Sequence, residues 1–443
     1  MNTPICDFVK SYCNSASCRL HMPGHKGKGL LGVEHLDITE IDGADVLYNP
    51  KGIILKSEQN ASELFGTKKT VYSAEGSSLS IRAMMELVSL HAKRSNTRAK
   101  VLAGRNAHST FLSAAALLDI DIEWIYPENC GLVSCKITAA MLENSIKHSH
   151  PTAVFITSPD YLGNIADIKS LAEICHRNNV LLLVDNAHGA YLKFLQNDRH
   201  PITLGADVCC DSAHKTLPVL TGGGYLHISH TAPDFLAENA NRAMSLFAST
   251  SPSYLILQSL DLANEYLSGG YIEKLAVFER KVNDIKSKLQ DFGYILIGSE
   301  PLKITISTKP FGYTGMDFAG ILKESGIVCE FYDPDFVVLM LTPEFEDFDL
   351  KRIFSTLTSI AKRTPIKIQP PSVARAESKM SVREAMLAPS VEVDVKDSVS
   401  KTLAMSAISC PPAIPIAVCG EVINEQAIEC FKYYGVEKIQ IVQ

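Results

Sequence analysis

The sequence has no long apolar run and no segment that resembles an export signal. None of its apolar stretches approaches the ~18 residues of a membrane-spanning helix, although 46% of its 443 residues are hydrophobic. Residues 1–7 form neither a basic nor an apolar region and therefore do not resemble a signal peptide. We expect a cytoplasmic chain that does not enter a membrane.

Features of disulfide-rich, nucleic-acid-binding and metal-binding proteins are also missing. The twelve cysteines are scattered and none forms a C-x-x-C pair, which favours reduced thiols. The net charge of −7 argues against nucleic acid, which favours a basic patch, and is compatible with a small cationic ligand. His21 and His25 have the spacing of a zinc-binding helix, but Pro23 and Gly24 lie between them, so we expect no metal site.

The pattern of apolar, polar and proline-rich stretches divides the chain into five segments. The proposed segments are an N-terminal arm (1–35), a major domain (36–290), a small α/β domain (291–363), a linker (364–381) and a C-terminal α+β domain (382–443). The pattern also predicts a helical stretch over residues 252–289, and in the C-terminal domain a helix near 421–434 and a closing strand at 438–442.

Within the major domain, short apolar runs of strand length alternate with helical patterns. Residues 153–157 and 180–184 are two such runs, and the apolar residues between them recur at helical spacing from Ile168 to Cys175. Continuous apolar runs are typical of parallel strands buried on both faces. The sequence therefore predicts β-α-β units and an α/β fold with a mostly parallel sheet.

Polar residues follow several of these runs, and ligands of open α/β sheets bind beyond the carboxyl ends of the strands. Asp185 follows residues 180–184, and Lys215, with Ser212 nearby, follows the next run. Pyridoxal 5′-phosphate (PLP) requires a carboxylate for its pyridinium nitrogen, a lysine for its Schiff base and hydroxyls for its phosphate. This order of residues favours a PLP site, although each residue alone is also typical of an ordinary turn or surface loop.

Longer motifs accompany these residues, and through them the chain resembles the ornithine/lysine/arginine decarboxylase family over nearly its whole length. The motifs of the arm and of the C-terminal segment are the specific ones, because general aminotransferases lack them. The matching segments are Leu20-His21-Met22-Pro23-Gly24-His25-Lys26-Gly27, Asp37-Ile38-Thr39-Glu40, Asp45-Val46-Leu47, Asp185-Asn186-Ala187-His188-Gly189, Ser212-Ala213-His214-Lys215, Ser249-Thr250-Ser251-Pro252-Ser253-Tyr254, Cys410-Pro411-Pro412-Ala413-Ile414-Pro415 and Gly420-Glu421.

The resemblance implies a fold type I (aspartate-aminotransferase-like) PLP enzyme and a role for individual residues. Lys215 would form the Schiff base, Asp185 would pair with the ring nitrogen, and His188 would lie near the reacting carbon. Glu421 would bind the cationic group at the far end of the substrate. The other implied cofactor contacts are His108 stacked on the ring, Ala187 against it, Ser77, Ser78, Ser212 and His214 at the phosphate, and Thr250 and Ser251 reaching the neighbouring subunit's cofactor.

The implied activity is decarboxylation of a small basic amino acid by a homodimer with shared active sites, or by a higher oligomer built from it. Arginine, giving agmatine for polyamine biosynthesis, is the expected substrate because the resemblance is to the shorter members of the family. Lysine and ornithine remain open. An aminotransferase or aldolase on the same scaffold, and a catalytically silent regulatory relative, are alternatives; Lys215 argues against the silent relative.

The sequence departs from the usual family pattern at several positions. Glu75 stands where asparagine is usual, Asn186 where glutamate is usual, and Ser109 where lysine is usual. These changes leave the cofactor residues in place. Those in the C-terminal segment, which bear on the substrate, are Cys410, Ala413 and Cys419 in place of tyrosine, glycine and proline.

Overall fold

The computed structural model describes residues 1–126, 135–372, 375–405 and 415–443. Its α-helices are α1 (Pro4–Asn14), α2 (Ile53–Phe65), α3 (Gly76–Arg94), α4 (Ser109–Leu118), α5 (Ala139–Ser149), α6 (Ile168–Arg177), α7 (Ala213–Thr216), α8 (Asp234–Ser245), α9 (Tyr254–Ser268), α10 (Tyr271–Phe292), α11 (Gly315–Glu324), α12 (Asp347–Ser359), α13 (Val382–Leu387) and α14 (Glu425–Tyr433). Its strands are β1 (Lys69–Ser73), β2 (Lys100–Gly104), β3 (Asp121–Ile125), β4 (Ala153–Thr157), β5 (Leu181–Asp185), β6 (Val208–Asp211), β7 (Gly224–Ile228), β8 (Ile295–Ile297), β9 (Lys303–Ser307), β10 (Phe331–Tyr332), β11 (Phe336–Met340), β12 (Ser390–Asp394) and β13 (Lys438–Val442). None of these helices is both long and apolar enough to cross a membrane.

The largest sheet has seven strands in the order β1-β7-β6-β5-β4-β2-β3 and is mostly parallel. Strands β5 and β6 pair in parallel, as do β2 and β3, whereas β7 runs antiparallel to β6 and β1. Every residue of β5 is buried, which explains its continuous apolar sequence. The predicted α/β class is confirmed.

The predicted elements agree with the structure to within a few residues. The run 153–157 is β4, the run 180–184 overlaps β5, and the helical spacing from Ile168 marks α6. The helical stretch predicted over residues 252–289 is two helices, α9 and α10. They are separated by Gly269 and Gly270, of which Gly270 has a φ of +90° that favours glycine.

The first of two compact units comprises residues 1–97, 152–154 and 168–275. Helix α1, which the sequence pattern did not predict, lies in the segment that was predicted to be an arm. Its Ile5 and Val9 are buried, and the backbone N–H groups of Ile5 and Cys6 donate to the carboxylate of Asp261 at 2.9 and 3.0 Å. Because the first N–H groups of a helix have no partner within it, Asp261 on α9 fixes the start of α1.

The second unit comprises residues 98–151, 155–167 and 276–443. It contains a four-stranded antiparallel sheet in the order β10-β11-β9-β8 and a separate antiparallel pair, β12-β13. The closing strand predicted at 438–442 is β13. The helix predicted over residues 421–434 begins only at Glu425, because the Asn424 side chain caps it by accepting from the Ala427 N–H.

Candidate active site

Lys215 lies on the short helix α7, directly after strand β6, in the first unit. Its Nζ is 3.1 Å from Nε2 of His188, which follows strand β5 and is buried. The ends of two neighbouring parallel strands therefore bring together the lysine and the histidine that the sequence places 27 residues apart.

Asp185 is the last residue of β5 and is buried. Its Oδ1 accepts hydrogen bonds from the Ala187 N–H at 3.1 Å and from the Cys210 thiol at 3.5 Å. Burial raises the pKa of Cys210 well above its usual value, so the thiol keeps its proton and donates it. Both hydrogen bonds go to Oδ1, and no described residue hydrogen-bonds to Oδ2, which leaves this oxygen for a ring nitrogen.

Two serine hydroxyls lie beside the first turn of helix α3. Ser212 Oγ donates to Ser77 Oγ at 2.7 Å, and both residues are buried. Ser77 and Ser78 belong to the first turn of α3, where backbone N–H groups point along the helix axis and attract anions. These two features together form a fitting cradle for a phosphate group.

Glycine at position 224 allows this cradle to form. A Cβ at Gly224 would lie 2.9 Å from the Asp211 carbonyl oxygen and 3.0 Å from the Gly76 carbonyl carbon. Only a residue without a side chain lets β7 approach the Gly76–Ser77 turn so closely. On the same side, His214 Nδ1 lies 2.9 Å from the Gly223 carbonyl oxygen, which fixes the orientation of the imidazole.

The donor set of the first unit fits PLP. Asp185 offers a carboxylate oxygen, Lys215 an amine beside an imidazole, and Ser77 and Ser212 hydroxyls at a helix N-terminus. Ala187, half-buried between Asp185 and His188, is the small residue that the sequence analysis places against the ring.

Thr250 and Ser251 lie in a segment that is fixed at both ends although their own side chains are exposed. The Ser249 N–H donates to Glu75 Oε1 at 2.7 Å, and the buried Tyr254 hydroxyl donates to the Ala44 carbonyl oxygen at 2.9 Å. Their contact with a neighbouring subunit's cofactor stays a prediction.

His108 lies in the second unit, at the N-terminus of helix α4. Its Nδ1 accepts from the Thr110 N–H at 3.2 Å, which orients the ring as an N-cap. Its stacking on the cofactor stays a prediction.

Glu421 is buried in the second unit and is already paired with a cation of the chain. Arg105 NH1 and NH2 donate to its two oxygens at 2.7 and 2.6 Å. The Val418 N–H and the Tyr126 hydroxyl also donate to this carboxylate, at 2.8 and 3.3 Å. Sequence reasoning missed Arg105, which is 316 residues away. The neighbouring motif residues 410–414 lie outside the described residues.

Cys210 and Asp211 are further residues that sequence reasoning did not assign to the site. Both belong to β6 and are buried, and Asp211 hydrogen-bonds to two histidines and to Asn186. One signal was present in the sequence: His227 is a polar residue inside an otherwise apolar strand, and buried polar groups almost always have a partner.

The sequence is similar to known amino-acid decarboxylases. The Orn/Lys/Arg decarboxylase major domain matches residues 3–292. An arginine decarboxylase of Halalkalibacterium halodurans is 30% identical over 96% of this chain and 91% of its own length, and one of Bacillus subtilis is 29% identical over 96% and 92%. A lysine decarboxylase structure from Francisella novicida shares the fold, with a TM-score of 0.81 at 16% identity over all of this chain and 81% of its own.

The family match and the donor set lead to the same chemistry. The protein is a PLP-dependent amino-acid decarboxylase. The chain belongs to the Orn/Lys/Arg decarboxylase family.

Proposed function

We propose that the protein decarboxylates arginine to agmatine and carbon dioxide, as a homodimer in the cytoplasm, and supplies polyamine biosynthesis. The observation that carries the choice of arginine is the match of 96% of the chain to relatives that are themselves arginine decarboxylases. The exposed side chains of Thr250 and Ser251, on a segment fixed by Glu75, support sites completed by a second subunit.

In this proposal the bond between the α-carbon and the carboxyl group breaks, and a proton replaces the lost carbon dioxide. PLP, when bound, supplies the electron sink for the electron pair of that bond. Asp185 would hold a proton on the ring nitrogen of bound PLP through its carboxylate. Ser77 and Ser212 bind the phosphate and thereby orient the reacting end of the substrate.

Lys215 and His188 are the groups that move the proton. Because Nζ and Nε2 are 3.1 Å apart, either can deliver a proton that the other has held. His188 is buried, which excludes bulk water from this transfer.

Glu421 is our first candidate for the residue that binds the guanidinium of the substrate, because a buried cation needs an acidic partner. Arginine would have to share this carboxylate with Arg105 or replace it. Asp160 and Glu75 are the next candidates. Asp160 is buried, and its two carboxylate oxygens accept from the backbone N–H and the side-chain amide of Asn164, both at 2.8 Å. Glu75 accepts from the Ser249 N–H.

The test is carbon dioxide release from arginine, lysine and ornithine, measured with and without an added oxo acid. We expect release from arginine at the highest kcat/KM, no need for the oxo acid, and no release by Lys215→Ala. Preference for lysine or ornithine would refute the substrate, and dependence on the oxo acid would point to transamination.

A further inference from the structure

Asp211 is a fully buried carboxylate that accepts hydrogen bonds from three nitrogen donors and from the thiol of Cys209. Asn186 Nδ2 donates to Oδ1 at 2.7 Å. On the other side, Nε2 of His200 lies 3.0 Å and Nε2 of His227 lies 3.2 Å from Oδ2. The two histidines and Asn186 are as completely buried as Asp211 itself.

The hydrogen bonds around the histidines fix where their protons are. The Ile202 N–H donates to His200 Nδ1 at 3.4 Å, so this nitrogen is an acceptor and Nε2 carries the proton. His227 Nδ1 lies 2.8 Å from the Thr70 hydroxyl, and burial lowers the pKa of His227, which favours its neutral form. Burial alone would raise the pKa of Asp211, but the histidines hold it below its usual value. Asp211 is therefore an ionised carboxylate that accepts from Asn186, His200, His227 and the Cys209 thiol.

The side chains of this cluster that could bind a metal ion are hydrogen-bonded through Asp211. His200, Cys209 and Asp211 offer ligand atoms within 4.8 Å of one another. Burial raises the pKa of Cys209 well above its usual value, so without a metal ion its sulfur stays a thiol, which donates to Asp211 Oδ1 at 3.7 Å. The His200–Asp211 distance of 3.0 Å is that of a hydrogen bond.

Asn186 connects this carboxylate to the active site, because it stands between Asp185 and Ala187 in the chain. Its backbone N–H donates to the Cys210 carbonyl oxygen at 3.0 Å, and its carbonyl oxygen accepts from the Gly189 N–H at 2.8 Å. A Cβ at Gly189 would lie 2.0 Å from Asn186 Oδ1, so the turn closes tightly around this side chain. Residues 185–189 are thus fixed to β6 by the main-chain hydrogen bond of Asn186 and by two side-chain hydrogen bonds, Asn186–Asp211 and Cys210–Asp185.

We propose that Asp211 is a positioning residue for the active site: through Asn186 it fixes the turn that carries Asp185 and His188 against the strand that leads to Lys215. The expected change in kcat rests on the proposed function, whereas the positioning of the turn by Asp211 does not. The link between the Asp211 side chain and this turn is its hydrogen bond with Asn186.

An exchange of acid and amide tests the proposal without changing side-chain size. Asp211→Asn can no longer accept from all of these donors, and Asn186→Asp places two carboxylates 2.7 Å apart. The double variant, which combines Asp211→Asn with Asn186→Asp, restores one amide donor opposite one carboxylate, and the amide oxygen introduced on β6 can still accept from the histidines. We expect each single change to lower kcat about tenfold to a hundredfold by misplacing the turn, with little change in KM, and the double variant to recover most of that loss.

A second readout does not depend on turnover. Each single change should shift the pH titration of the visible absorbance of bound PLP, because Asp185 moves relative to the ring nitrogen, and the double variant should return it. Asp261→Asn is the matched control. Asp261 is another buried carboxylate of the same unit, with three donors from Ile5, Cys6 and Ser57, but remote in the chain from the site. It should lower thermal stability without shifting the titration.

If Asp211→Asn does not fold, Asn186→Ala replaces it, since this change removes only the side-chain link. The proposal is overturned if Asn186→Ala keeps wild-type kcat and absorbance titration, or if the single variants behave like Asp261→Asn. It is also overturned if the double variant recovers nothing. A wild-type protein that releases no carbon dioxide, yet shows the expected absorbance shifts in the variants, would refute the proposed function and leave the positioning role supported.

Discussion

The variant Glu421→Gln tests whether the Glu421 carboxylate only stabilises the fold through its ion pair with Arg105 or also binds the substrate. The Arg105 and Glu421 side chains are 4% and 5% exposed, and four hydrogen bonds converge on the Glu421 oxygens. A glutamine offers one accepting oxygen, so it turns an NH₂ group toward donors and leaves the Arg105 charge unpaired. Breaking a buried ion pair from one side costs about 3–5 kcal/mol. For a domain of 150–250 residues, the lower value corresponds to roughly 6–12 °C in Tm.

The assay pairs thermal unfolding with steady-state kinetics on arginine. We expect Glu421→Gln to lower Tm by this amount and to raise KM strongly, while the visible absorbance of bound PLP stays unchanged. Arg105→Gln is the control, because it breaks the same ion pair but keeps the carboxylate. It should lower Tm similarly without raising KM.

Two results would refute this reasoning. If KM barely changes in Glu421→Gln, or rises equally in both variants, Glu421 serves only as the partner of Arg105. If neither variant loses thermal stability, the buried Arg105–Glu421 ion pair does not stabilise the fold by the amount that its burial predicts.

Four further predictions concern the cofactor, the subunits and pH. Borohydride reduction followed by peptide mapping should place the pyridoxyl group on Lys215, and label on another lysine would contradict the site. Asp185→Asn should lower kcat far more than it weakens PLP binding, because the phosphate contacts remain while the amide cannot stabilise a protonated ring; near-normal turnover would make Asp185 a simple turn residue. Mixing Lys215→Ala with an inactive Thr250 variant should restore part of the activity through hybrid dimers, and no recovery despite subunit exchange would argue against shared sites. Burial raises the pKa of Asp333 to about 6, so wild type should lose about 2–3 kcal/mol of stability relative to Asp333→Asn as pH rises from about 4 to about 6. Equal urea unfolding profiles of the two proteins at both pH values would contradict that shift.

The elements that could be predicted best from the sequence are those whose residue pattern reflects the burial of a single strand. Strand β5 is apolar throughout because it is buried throughout, and Asp185 at its end then stands out. Asp185 and Lys215 were expected at one edge of the sheet because parallel strands end there, and the structure places Asp185 at the end of β5 and Lys215 just after β6. Helix α1 was missed because its apolar residues, Ile5 and Val9, form a short stripe that is stable only against the rest of the unit.

The pairings between distant residues could not be predicted. Arg105 and Glu421 are ordinary charged residues in sequence, and only the fold makes them a buried pair. Likewise, Asn186 first appeared as a departure from the family pattern. The structure gives it a partner in Asp211 that no local pattern could identify.

The thiol that hydrogen-bonds to Asp185 has a practical consequence for covalent labelling. Thiolates, not thiols, react with alkylating reagents and oxidants, and both burial and the nearby carboxylate keep Cys210 protonated. Among the described cysteines only Cys18 is exposed, and it lies in the N-terminal segment, far along the chain from Lys215. Among these described cysteines, a maleimide dye should therefore attach first at Cys18, while Cys210 beside Asp185 should stay unlabelled.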